Sequence, residues 1–122
     1  MLKVLIVDGD PGESKLYNEV FLLFGYQVIA SLRTSREAIE WFCENDITEF
    51  DVVLFDDSVV PNDLEFEGLF QIIQTLMKKD FQGVCIVYAD VPRTIEGVTW
   101  LSRDGEGIVE ELASVLVPSV PA

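Results

Sequence analysis

The chain has 122 residues, 49% of them hydrophobic, and its 22 acidic and 8 basic residues give a net charge of −14. This length and composition indicate one globular domain with its own core rather than a disordered chain, and the negative charge disfavours direct nucleic-acid binding. Because the chain has no histidine, a Ser-His-Asp triad, zinc sites of the usual kind and phosphohistidine chemistry on this chain are excluded.

The hydrophobic runs and the two cysteines indicate in which compartment the protein is expected. No apolar run approaches the roughly 18 residues that a membrane helix needs, and the run from Val4 to Val7 is too short for a signal peptide. We therefore expect a cytoplasmic protein that does not bind membranes. Cys43 and Cys85 fall in a helix-like and a strand-like segment, where small buried thiols are expected rather than a disulfide or metal site.

The chain begins with a short apolar run at 3–7, which predicts a buried strand. Asp10 is expected to cap a helix, because Pro11 follows at the first turn and Glu13 stands three residues after the cap. Gly25 is expected to end this helix. Its predicted apolar face consists of Leu16, Val20, Leu23 and Phe24.

Two more strands are predicted at 26–30 and 51–55, with a helix between them. Thr34 and Glu37 match a capping box at the start of that helix. The apolar residues that follow at helical spacing are Ala38, Ile39, Phe42 and Cys43.

The second half of the chain repeats the alternation, with strands predicted at 84–89 and 98–102. Asp104 is expected to cap a last helix, and the tail from 118 to 122 contains two prolines and is expected to be irregular. The helix faces are predicted from Leu69, Ile72, Ile73 and Leu76, and from Ile108, Val109, Leu112, Val115 and Leu116.

This order predicts a five-stranded parallel sheet with helices on both faces. Functional crevices in such sheets lie at the carboxyl ends of the strands. Asp8 and Asp10 follow the first strand, and Asp56 and Asp57 follow the third. Carboxylates gathered at one edge repel each other unless a cation or proton intervenes, and oxygen ligands of this kind suit Mg²⁺.

Four motifs mark these positions: KVLIVDGDP at the start, Gly25-Tyr26 before the second strand, DVVLFD at the third strand and GVTWLSRD near the end. Together they resemble the motifs of response-regulator receiver domains of two-component signalling. The resemblance implies a flavodoxin-like, doubly wound (βα)5 fold over residues 1–117, and a phosphoryl group accepted on an aspartate.

The resemblance also implies a metal site and a phosphoacceptor. Asp8 matches the first acid of the family's metal-binding pair, Gly9 stands where the second is expected, and Asp10 comes one position late. Asp56 matches the phosphoacceptor when counted from the strand, and Asp57 matches it when counted back from Pro61. We favour Asp56, and expect Asp8, Asp10 and Asp56 to hold a Mg²⁺ ion that is bound weakly or lost.

Three further site positions depart from the family's pattern. Tyr88 stands in place of a small Thr or Ser, and Arg103 in place of a lysine, whereas Trp100 fits the aromatic switch position. Only a short segment separates Ala89 from Gly97, so the helix between the fourth and fifth strands is expected to be shortened.

Two signalling functions fit these features. One is a working receiver that takes a phosphoryl group from a histidine kinase. The other is a pseudo-receiver that acts through protein–protein contacts with other signalling proteins, which the altered positions favour slightly. A third hypothesis is a haloacid-dehalogenase-like phosphatase that uses Asp8 and Asp10, but we expect no enzyme. The sequence leaves the kinase, the output partner and the oligomeric state open.

Overall fold

The computed structural model describes residues 2–56, 65–90, 95–102 and 107–116, without the side chains of 65–70. Within these residues, no helix combines the length and the apolar character that crossing a membrane requires. The tail at 118–122 lies outside the described residues, so the domain limits stay a prediction.

Five short apolar segments form a single parallel sheet, as predicted. The strands are β1 (Lys3–Val7), β2 (Gln27–Leu32), β3 (Val52–Asp56), β4 (Val84–Ala89) and β5 (Val98–Ser102). Their order across the sheet is β2-β1-β3-β4-β5, and every neighbouring pair is parallel. The chain therefore crosses over from one side of β1 to the other, which makes the fold doubly wound and flavodoxin-like.

Within the described ranges, four helices cover the sheet: α1 (Pro11–Leu23), α2 (Ser35–Glu44), α3 (Glu65–Lys78) and α4 (Ile108–Val115). A short 3-10 helix (Ile47–Glu49) precedes β3.

Successive residues on each strand point to opposite faces of the sheet, and this alternation divides the core into two layers. Leu5, Val7, Phe55 and Val87 pack with side chains of α2 and α3. Ile6, Leu54, Ile86 and Tyr88 pack with side chains of α1 and α4. Runs of buried residues along the central strands follow from this two-sided packing.

Both predicted caps that fall on described residues are present. The Asp10 side chain accepts hydrogen bonds from the backbone of Gly12 and Glu13 at the start of α1. The Thr34 hydroxyl accepts from the Glu37 amide at 3.0 Å. Asp104 lies outside the described residues, and it is not the N-cap of the last helix. That helix begins after Gly107, whose φ of 112° suits only glycine.

The predicted apolar face of α1 is only partly right: Val20 is buried, but its two leucines are not. Leu16 and Leu23 are 49% and 81% exposed, whereas Tyr17 and Phe21 are fully buried. Hydrophobicity alone favoured the leucines, but the aromatic side chains supply more contact with the sheet. The bounds of two strands also differ from the prediction: β2 extends to Leu32, and β3 includes Asp56 as its last residue.

Other expectations are met in part. Cys85 is buried, but Cys43 is exposed on α2, so only one of the two thiols belongs to the core. Between β4 and β5, the described residues Asp90 and 95–97 form no helix, in agreement with a shortened connection.

Candidate functional site

Asp8 and Asp56 lie next to each other at the carboxyl ends of two neighbouring strands. Val7 pairs with Phe55 in the parallel register of β1 and β3, so the residues that follow them are also adjacent. Both aspartates are 0% exposed. Because two buried like charges repel each other, this arrangement favours a positively charged partner at the site.

Glu13 adds a third carboxylate to this pair. Asp8, Glu13 and Asp56 each offer one oxygen, and these oxygens all lie within 4.8 Å of one another. Glu13 is in the first turn of α1, where helical side chains project back towards the helix N-terminus. The side chain of Glu13 therefore reaches the carboxyl ends of the strands. It brings a carboxylate to this place even though Gly9 stands where a second acid is expected.

The donor set fits a small divalent cation. Mg²⁺ binds oxygen atoms at about 2.1 Å in an octahedron, so neighbouring ligand oxygens lie about 3 Å apart and opposite ones about 4 Å apart. Three oxygens within 4.8 Å of one another meet this geometry if the side chains close by up to about 2 Å. The three carboxylates could therefore hold Mg²⁺, with water completing the coordination shell.

Asp10 has a different position from the one predicted for a metal ligand. It is exposed and caps α1, with its Oδ1 atom 2.8 Å from the Gly12 nitrogen. Its own backbone nitrogen donates to Asp8 Oδ1 at 2.8 Å. Asp10 therefore orients Asp8 through its backbone and stays outside the group of three carboxylates.

Tyr17 reaches the same carboxylates from α1. Its hydroxyl donates to Asp56 Oδ2 at 2.6 Å and lies 3.4 Å from Glu13 Oε2. The shorter contact is in the range of a charge-assisted hydrogen bond. The Tyr17 hydroxyl is thus a neutral hydrogen-bond donor that faces the buried carboxylates.

Tyr88 packs against this donor. It pairs with Asp56 across β3 and β4, and it is 8% exposed. Its ring meets that of Tyr17 edge to face, with centroids 6.1 Å apart. Tyr88 therefore neighbours Asp56 along the sheet and packs against the tyrosine that donates to it.

Trp100, also predicted as a site residue, packs on the other face of the sheet. Trp100 pairs with Val87 on β4 and packs, partly buried, in the layer of α2 and α3, on the face away from Tyr17. Asp57 and Arg103 lie outside the described residues, so their predicted roles stay predictions.

Cys85 can be excluded as a nucleophile at neutral pH. It lies on β4 within the core layer of α2 and α3, and burial raises the pKa of its thiol to about 12. Since the thiolate is the reactive form, a thiol with this pKa is inert.

A cavity of about 270 Å³ lies at the opposite end of the strands. Phe50, Asp51, Phe81 and Gly83 are among the residues that line it. These residues precede β3 and β4, whereas the carboxylates follow β1 and end β3, so the cavity is not part of the site.

Sequence reasoning missed Glu13 and Tyr17 as site residues. Glu13 matches the capping pattern at the start of α1, and Tyr17 falls outside the predicted apolar face of this helix. A signal was present, because residues four apart share a helix face: Glu13, Tyr17 and Phe21 form one stripe on α1, of which Phe21 is fully buried.

No protein-family model and no curated protein matches this sequence. Solved structures do match. A response regulator receiver domain protein from Clostridium thermocellum is 20% identical, with 93% of this chain and 90% of that one covered and a TM-score of 0.70. The chemotaxis protein CheY4 from Vibrio cholerae is 20% identical, covering 95% of this chain and 99% of that one, at a TM-score of 0.67.

A third match is the response regulator protein TrrA from Thermotoga maritima, whose structure is a complex with Mg²⁺-BeF. It is 19% identical, covers 95% of this chain and 100% of that one, and has a TM-score of 0.66. None of these neighbours favours the phosphatase hypothesis. The chain has the fold of response-regulator receiver domains.

Proposed function

We propose that this chain is a receiver-like domain of two-component signal transduction that accepts a phosphoryl group on Asp56. The observation that carries this proposal is the buried group of Asp8, Glu13 and Asp56 at the carboxyl edge of the sheet. Glu13 supplies the acid that Gly9 lacks, so the donor set has three carboxylates despite the altered motif.

The proposed chemistry is a phosphoryl transfer from a phosphohistidine of a partner kinase. A carboxylate oxygen of Asp56 forms a bond to phosphorus while the phosphorus–nitrogen bond breaks. The electron pair of that bond stays on the imidazole nitrogen, and a proton from solvent keeps the imidazole neutral. Bound Mg²⁺ would supply positive charge that offsets the charge of the phosphoryl oxygens.

A pseudo-receiver is the second candidate, and one contact favours it. The Tyr17 hydroxyl donates to Asp56 Oδ2 at 2.6 Å, so the acceptor carboxylate is already engaged by the protein itself. In that case the same scaffold would bind another signalling protein without being phosphorylated. Under either function we propose that the chain is cytoplasmic, is not an enzyme, and acts through protein partners.

The two candidates differ in their response to Mg²⁺ and beryllofluoride, which mimics a phosphoryl group. A phosphate-accepting domain shows saturable changes in amide spectra and tryptophan fluorescence when both are added. These changes are lost in Asp56→Asn. A parallel incubation with a phosphorylated histidine kinase detects the added phosphoryl group by mass.

Asp57→Asn is the matched control, because it removes the neighbouring carboxylate and leaves Asp56 in place. Retention of the response in Asp57→Asn and its loss in Asp56→Asn identify Asp56 as the acceptor; the reverse pattern identifies Asp57. No response of the unmodified chain at millimolar Mg²⁺ would exclude the phosphate-accepting function and leave the pseudo-receiver.

A further inference from the structure

The Tyr17 hydroxyl carries one proton and faces two carboxylate oxygens. Its distance to Asp56 Oδ2 is 2.6 Å and that to Glu13 Oε2 is 3.4 Å. Because a hydrogen bond weakens steeply with distance and one proton cannot serve both acceptors fully, the proton belongs to the Asp56 contact. The oxygen of Glu13 is close enough to accept it if the hydroxyl rotates.

Both of these acceptors belong to the group of carboxylates that could hold a cation. The Tyr17 hydroxyl proton and a cation bound by these carboxylates would both be attracted to the same negatively charged oxygens. A cation close to Asp56 and Glu13 would also repel the positive end of the hydroxyl dipole. Cation binding at Asp56 Oδ2 and the Tyr17–Asp56 hydrogen bond, which uses the same oxygen, are therefore in competition.

The tyrosine ring has little room to move away. Tyr17 is 1% exposed, and its ring stands at 89° to that of Tyr88 with centroids 6.1 Å apart. Well-packed interiors resist displacement of a ring without movement of its neighbours. Release of the hydroxyl from Asp56 thus involves either rotation of the hydroxyl itself or a shift of the Tyr17 and Tyr88 rings together.

We propose that Tyr17 is a positioning residue that holds Asp56 in a closed state, and that a divalent cation binds at Asp56 only when this hydrogen bond breaks. The inference rests on the proposed function, since it concerns the same carboxylates. It assigns to Tyr17 the part of setting the cation affinity.

The test measures the affinity of Mn²⁺, added alone, for the unmodified chain, Tyr17→Phe and Tyr26→Phe. Removal of the competing hydrogen bond is expected to tighten binding about tenfold in Tyr17→Phe. Tyr26→Phe is the matched control, because Tyr26 is also a buried tyrosine, 2% exposed, but it precedes β2 at the opposite edge of the sheet. Its affinity is expected to equal that of the unmodified chain.

A second measurement needs no variant. A strongly hydrogen-bonded tyrosine hydroxyl gives a proton resonance that exchanges slowly with water, and we expect this resonance in the unmodified chain. Diamagnetic Mg²⁺ at saturation should remove or shift it together with the ring resonances of Tyr88. A hydroxyl resonance that is unchanged in position and intensity in the Mg²⁺-bound chain would overturn the inference, even if Tyr17→Phe does not fold.

The outcomes separate this inference from the proposed function. Equal affinities in the unmodified chain and Tyr17→Phe, or weaker binding by Tyr17→Phe, overturn the role of Tyr17 and leave the cation site in place. Absence of Mn²⁺ binding in all three proteins removes the proposed phosphate-accepting function and this inference with it. Tighter binding in Tyr17→Phe alone supports both.

Discussion

Asp8 and Asp56 end two adjacent parallel strands, and both carboxylates are completely buried beside each other. Two unit charges within 4.8 Å of each other repel by at least about 3 kcal/mol at an effective dielectric constant near 20. The fold therefore carries an unfavourable charge arrangement at the same edge where a cation would be bound.

Replacement of Asp56 by asparagine is expected to stabilise the metal-free protein. The substitution keeps the shape and an oxygen for Tyr17 while it removes one of the repelling charges, so the free energy of unfolding should rise by about 1–2 kcal/mol. Urea unfolding without divalent ions measures the effect. Glu40→Gln, which removes an exposed charge on α2, should change the free energy by less than about 0.5 kcal/mol.

Mg²⁺ should reverse this order of stability. A ligand that binds only the folded state stabilises it by mass action, so the unmodified chain gains stability with increasing Mg²⁺ and Asp56→Asn does not. An equal gain in both proteins would mean that the ion binds elsewhere.

Glu13→Gln and Asp10→Asn distinguish the metal ligands found in the structure from those predicted by sequence. Glu13→Gln should weaken Mg²⁺ binding about tenfold or more, because a charged ligand is lost. Asp10→Asn should leave the affinity within about twofold, since asparagine caps a helix as well as aspartate. Calorimetric titration measures both, and an equal loss in Asp10→Asn would restore Asp10 as a ligand.

The two thiols should react at very different rates. Exposed Cys43 reacts with a disulfide reagent at pH 8, whereas Cys85, buried and with a pKa of about 12, reacts only after unfolding. Cys43→Ser should abolish the fast phase. A fast phase that persists in this variant would show that the core around β4 opens readily.

The raised pKa of Cys85 also predicts the direction of the alkaline stability change. The unfolded thiol loses its proton near its ordinary value of 9.0 and the folded one near 12, so unfolding releases a proton between these values. The stabilising contribution is fully present below pH 9 and is lost as the pH rises towards 12. Burial and the charge of Asp51 raise the pKa of Tyr26. Ionisation of Tyr26 therefore also lowers the stability of the fold as the pH rises. Unfolding of Cys85→Ala should depend less on pH in this range.

The rotation of α1 can be tested by two alanine substitutions. Phe21→Ala removes a fully buried ring and should lower the free energy of unfolding by about 3–5 kcal/mol. Leu23→Ala, at a side chain that is 81% exposed, should lower it by less than about 0.5 kcal/mol. Comparable losses in the two variants, measured by urea unfolding, would contradict the orientation of this helix.

The meeting of Asp8 and Asp56 could be predicted from sequence because it depends only on topology. Parallel strands bring their carboxyl ends to one edge, and β-branched apolar runs marked β1 and β3 clearly. The caps at Asp10 and Thr34 were equally accessible, since a cap depends on residues within one helical turn.

The contributions of Glu13 and Tyr17 could not be predicted in the same way, because they depend on how α1 is turned against the sheet. Two stripes competed on that helix, one containing Leu16 and Leu23 and the other containing Tyr17 and Phe21. Hydrophobicity favours the first stripe, but aromatic volume and the Tyr17 hydrogen bond to Asp56 favour the second. The bond partner lies on a distant strand, so no local pattern reveals it.

Tyr88 and Val87 are consecutive residues on β4 that serve opposite layers of the molecule. Tyr88 contacts the ring of Tyr17, while Val87 pairs with Trp100 and packs towards α2 and α3. The peptide bond between Val87 and Tyr88 thus connects a residue beside the carboxylates to a residue that pairs with Trp100. The emission of Trp100 therefore provides an optical probe, through the sheet, of any displacement of the Tyr88 backbone.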